Sequence, residues 1–93
     1  MSEEKVKILV VDDLQANIHA LEVTLQELDV EIHTSLSGND ALSKMTMNDY
    51  AVVLMDVQMP KMDGFETAEL MQLKKTTKDI QIIFKEIQIL MYI

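Results

Sequence analysis

The sequence predicts an α/β fold built on a parallel sheet, and three observations carry that prediction. Two short apolar runs end in aspartate: Val6, Ile8, Leu9, Val10 and Val11 lead into Asp12-Asp13, and Val52-Val53-Leu54-Met55 into Asp56. A short apolar run bounded by turn residues has the pattern of a strand buried on both faces. Segments of helical period separate the strand-like runs, and that alternation implies right-handed crossovers between parallel strands. The carboxylates fall at the carboxyl ends of interior strands, where open α/β sheets place their chemistry.

The elements follow in order. A strand over about residues 6–11 precedes a helix marked by Leu14, Ile18, Leu21, Leu25 and Leu28, spaced four, three, four and three. That spacing is one apolar helix face. Val30-Glu31-Ile32-His33-Thr34 alternates, as a half-buried strand at a sheet edge does. Ser37-Gly38-Asn39-Asp40 is a turn that also caps a short helix carrying Ala41, Leu42 and Met45. The central strand spans 51–56. After Gly64, a third helix carries Phe65, Ala68 and Met71 or Gln72, and Lys74, Lys75 and Lys78 suit its carboxyl-terminal dipole. Ile80–Phe84 is a fourth strand. There is no internal repeat and no linker.

Composition sets the limits. Ninety-three residues, 48% of them hydrophobic, suit one small globular domain. A net charge of −8 without a basic cluster argues against a nucleic-acid partner. No apolar stretch reaches the ~20 residues a membrane span requires. The acidic start Met1-Ser2-Glu3-Glu4-Lys5 is unlike a signal peptide, and zero cysteines suit a reducing compartment, so the expected location is cytoplasmic. His19 and His33 are expected as ordinary surface histidines with no carboxylate nearby. The eight methionines are expected mainly as core, with Met59 and Met62 beside Pro60 as candidate partner contacts.

Two buried strands ending in three carboxylates make a cation site and a candidate phosphate acceptor. At these residues the chain resembles the receiver domain of two-component response regulators. Asp12-Asp13 after the first strand and Met55-Asp56-Val57-Gln58-Met59-Pro60-Lys61-Met62-Asp63-Gly64 after the third carry the likeness. The resemblance implies a flavodoxin-like, doubly wound sheet of order 2-1-3-4-5, in which strands one and three are neighbours. Neighbouring strands lie ~4.8 Å apart, so Asp12, Asp13 and Asp56 would meet around one ion. An all-oxygen site with few protein ligands suits Mg²⁺. The resemblance further implies that Asp56 accepts a phosphoryl group from a sensor histidine kinase or phosphotransfer protein. It makes Asp13 a direct metal ligand, Asp12 the holder of a metal-bound water, and the Gln58 backbone carbonyl the last protein ligand. Pro60 and Gly64 would shape the loop, Gly64 through a backbone angle other residues resist.

The resemblance covers residues 5 to about 84, which sets the expected division: 1–84 as a truncated receiver domain, 85–93 as an apolar tail outside the family pattern. In the family the fourth strand ends in a small hydroxyl residue and a fifth strand ends in a lysine that pairs with the phosphate. Here Glu86 takes the hydroxyl position and no lysine follows Lys85. The fold is therefore expected to be incomplete, with about four strands and three helices, and phosphorylation impaired. Ile80 to Ile93 contains no Gly, Pro, Asn or Asp, so one extended strand is expected, exchanged between two copies in a homodimer. Enzymatic activity would at most be self-phosphorylation from a donor and autodephosphorylation. The rival readings are a pseudo-receiver that acts as a dimerising interaction module and a small metal-dependent phosphohydrolase.

Overall fold

The computed structural model describes residues 5–59, 61–73 and 80–85. Seven elements alternate: β1 (Val6–Val11), α1 (Gln15–Leu25), β2 (Val30–Ser35), α2 (Gly38–Met45), β3 (Val52–Asp56), α3 (Gly64–Leu73) and β4 (Gln81–Lys85). All strand pairs are parallel and the order is β2-β1-β3-β4. Among the described residues this is the doubly wound parallel sheet of four strands and three helices that the sequence predicts, with β2 at an edge. The register places Val11 opposite both Ser35 of β2 and Met55 of β3, so the strands that end in acids finish side by side.

Alternation along the strands divides the core in two. Leu9 and Val11 of β1 and Val53 and Met55 of β3 share one face with Ala41 and Met45 of α2 and Met71 of α3. Those four strand residues and Met71 are fully buried. Each such side chain contributes ~1.5–3 kcal/mol through burial. Val10 points to the opposite face, where α1 supplies the buried Ile18. Tyr50 and Met59 close the larger cluster at the strand ends; Met59, expected as a possible partner contact, is core.

Four expectations change here. The apolar stripe of the first helix overruns the helix, which ends at Leu25. Beyond it the backbone tightens into turns, with Gln26 N–H donating to Val23 O (3.3 Å) and Leu28 N–H to Leu25 O (2.9 Å), and Leu28 stays exposed. Only Ile18 of the stripe is fully buried, and Leu14 is the exposed N-cap. The central strand is not equally buried on both faces: Val52 and Leu54 are only half-buried, because α1 lies over β1 and β2.

His33 is not a lone surface histidine. Its Nε2 lies 2.6 Å from Glu31 Oε2 and its Nδ1 2.6 Å from the Tyr50 hydroxyl, which joins β2 to the residues before β3. Alternation placed Glu31 and His33 on one face but gave no sign of Tyr50. The cap of α2 is as expected, with the Ser37 hydroxyl accepting from Asp40 N–H at 3.1 Å. The lysines at 74, 75 and 78 and the tail 86–93 lie outside the described residues.

Candidate functional site

The site is assembled by strand ends. Asp12 is the first residue after β1; its N–H donates to Ser35 O at 3.0 Å and ties it to the end of β2. Its side chain is fully buried, Asp13 is half-buried, and Asp56, the last residue of β3, is 6% exposed. One carboxylate oxygen from each of the three lies within 4.8 Å of the others. The structure thus brings Asp12, Asp13 and Asp56 together as the sequence predicts.

Three carboxylates this close repel one another when ionised, and a bound cation relieves that repulsion. The donor set fits Mg²⁺. Ligands at 2.0–2.1 Å in an octahedron are ~3 Å apart when adjacent and ~4 Å apart when opposed. A separation of up to 4.8 Å accommodates those spacings and leaves room for one carboxylate to act through a water. Among the described residues the cluster is made of aspartates alone.

Asp12 is held from the helix side. Leu14 N–H donates to its Oδ1 at 2.9 Å, and Asn17 Nδ2 donates to the same oxygen at 3.3 Å. Asp12 thereby satisfies one of the free amides at the start of α1 while facing the other acids. Asn17 was not singled out from the sequence. Its signal is an amide side chain in the first turn of a helix, five residues after a buried acid.

The loop after Asp56 carries the remaining candidates. Gln58 is exposed two residues past Asp56, and Pro60 lies outside the described residues. Gly64 is required for a reason other than the one expected. It has no positive φ; the left-handed residue of the loop is Lys61, at φ 69°. A Cβ on Gly64 would instead lie 2.1 Å from the backbone O of Asp56. The glycine therefore lets α3 begin directly against the end of β3, a contact that Gly64 N–H reinforces by donating to Val57 O at 3.1 Å. Asp63 caps that helix, its Oδ1 accepting from Glu66 N–H at 2.8 Å. Phe65 and Phe84 pack with ring centroids 4.7 Å apart, joining the start of α3 to β4. Lys85 is the register partner of Asp56.

Neither histidine joins the site. His19 lines an open groove of about 500 Å³ between α1 and β2, with Lys5, Asp29 and Val30. Those last residues mark the amino ends of the strands, opposite the acids. Among the described residues no helix is long and apolar enough to cross a membrane.

Comparison with known proteins agrees with this geometry. Residues 8–87 match the family described as Response regulator receiver domain. The response regulator PleD of Caulobacter vibrioides is 36% identical over 77 residues, 83% of this chain and 17% of PleD. This chain thus spans about one sixth of that curated relative. Response regulator TrrA of Thermotoga maritima, solved in complex with Mg²⁺-BeF, is 41% identical with a TM-score of 0.75, covering 85% of this chain and 67% of TrrA. TrrA has also been solved in complex with the histidine kinase ThkA, where the identity is 39%, the TM-score 0.77, and the coverage 85% of this chain and 66% of the other.

Proposed function

Because this chain belongs to the response regulator receiver domain family, we propose that Asp56 accepts a phosphoryl group from a histidine kinase or phosphotransfer protein, with Mg²⁺ as cofactor. The observation that carries this is the meeting of Asp12, Asp13 and Asp56 within 4.8 Å at the ends of neighbouring strands. The TrrA complexes with Mg²⁺-BeF and with ThkA support the choice of ion and of donor.

In this proposal an Asp56 oxygen attacks the phosphorus of a phosphohistidine. An O–P bond forms as the P–N bond breaks, the imidazole leaves with the bonding pair, and Asp56 becomes an acyl phosphate. Bound Mg²⁺ supplies positive charge against the negative charge spread over the phosphoryl oxygens in transfer. Asp13 would hold it directly, Asp12 through a water, and the Gln58 carbonyl would complete the protein set. Burial of Asp12 and Asp56 against the core keeps their carboxylates in place for this task.

Impairment belongs to the same proposal. Its ground is Glu86, an acid where the family pattern carries a small hydroxyl residue, which would add negative charge beside the phosphoryl oxygens. Glu86, placed by the sequence at the hydroxyl position, lies outside the described residues. Incubation with a small phosphodonor tests the function: the expected result is a slow, Mg²⁺-dependent adduct on Asp56. No adduct under any condition would favour the pseudo-receiver, and continuous turnover of the donor would favour the phosphohydrolase.

A homodimer made by exchange of residues 85–93 is the matching proposal for self-association. It is supported by the position of β4 at the end of the sheet among the described residues and by Ile83, 47% exposed there. Deletion of 86–93 should then abolish the dimer in sedimentation; a full chain that sediments as a monomer at micromolar concentration rejects it.

A further inference from the structure

We infer that Asn17 is a positioning residue for the acidic site, holding the Asp12 carboxylate in the orientation a small octahedral cation requires. The inference rests on the Mg²⁺ reading above and extends it to a residue outside the acidic motif. An asparagine in the first turn of a helix commonly turns its side chain back on its own backbone. Here the amide of the half-buried Asn17 reaches across to Asp12 Oδ1, at 3.3 Å. The Leu14 N–H meets the same oxygen at 2.9 Å. Two donors on Oδ1 fix the carboxylate plane, and with it the direction in which the second oxygen points. Loss of the Asn17 donor removes one of the contacts that orient the group. Because the acceptor is a carboxylate that is fully buried, the contact is made in a poorly solvated place, where a hydrogen bond is stronger than in water.

The consequence is selective. Mg²⁺ demands near-ideal octahedral geometry at 2.0–2.1 Å, whereas Ca²⁺ accepts six to eight oxygens at longer and more variable distances. Outer-shell partners of metal ligands typically affect affinity by 10–100-fold. Loosening Asp12 should therefore weaken Mg²⁺ far more than Ca²⁺. A plain helix-stabilising role for Asn17 would instead lower the stability of the metal-free chain and leave the ratio of the two affinities alone.

The test is calorimetric titration of the full chain and of Asn17→Leu, which keeps the shape and helix-forming ability but has no N–H, with Mg²⁺ and Ca²⁺ in turn. Asn17→Ala serves as the second variant should Asn17→Leu not fold. The expected result is a Mg²⁺ affinity lower by about 10-fold, a Ca²⁺ affinity changed much less, and a metal-free melting temperature close to that of the parent. Equal loss for both ions, or no loss for either, overturns the inference while leaving the Mg²⁺ site intact. Failure of the parent chain to bind Mg²⁺ removes the site and the inference together.

Discussion

The two faces of the sheet are built to different standards. On the face under α2 and α3, Leu9, Val11, Val53, Met55 and Met71 are all fully buried and form one cluster. On the face under α1, Val10 and Ile18 are buried, but Val6 and Ile83 are 53% and 47% exposed and Leu54 is only half-covered. The acids stand where the well-packed face reaches its carboxyl edge: Val11 precedes Asp12, and Met55 precedes Asp56. The acidic cluster is thus anchored to the most deeply buried strands of the described residues.

Unequal truncations should break or sharpen this contrast. Leu9→Ala should cost about 2–5 kcal/mol in denaturant unfolding, since the cavity opens inside a filled cluster. Ile83→Ala should cost near 1 kcal/mol, because much of that side chain already meets water. Equal losses would show that the exposed face is covered in solution.

A smaller effect is expected where the packed face meets the end of β3. Gly64→Ala forces a Cβ toward the backbone O of Asp56, and overpacking of this kind costs about 1–3 kcal/mol. The shift should also disturb whatever Asp56 binds, so Mg²⁺ should protect this variant less than the parent against heating. A fully protected variant would separate the loop from the site.

The smallest effect is a pH dependence at the surface. The Ser35 hydroxyl, and after it the Lys44 ammonium 3.2 Å away, hold the Asp40 carboxyl below its usual 3.8. A depressed carboxylate contributes stability that is present above its ordinary value and is lost as pH falls through the lower, folded-state value. Asp40→Asn should therefore flatten the acid side of the stability curve slightly and leave neutral pH nearly unchanged. Asp40 is half-exposed, so solvent screens the contribution. A steep acid limb that survives the substitution would assign the effect to other groups, such as Glu31, whose carboxyl is lowered by its hydrogen bond to His33.

Much of this was legible in the sequence. Apolar runs that end in acids locate β1 and β3 because burial of a parallel strand and exposure of its carboxyl end leave opposite residue types side by side. The three acids of the site follow from the same pattern. The limits of α1 were not legible, since apolar spacing continues to Leu28 while the backbone turns after Leu25. The reason for Gly64 was hidden because a close approach to Asp56 O and a left-handed φ select the same residue. The partners of His33 and Asn17 depend on contacts between elements that no local period encodes.

The account's central claim is that Asp12, Asp13 and Asp56 act as one cation site, and Mg²⁺ titration of the parent chain beside Asp12→Asn and Asp13→Asn tests it most directly. The predicted result is weak but saturable binding by the parent, with affinity reduced in both variants and at least as much in Asp13→Asn. Unchanged affinity in both variants would contradict the claim.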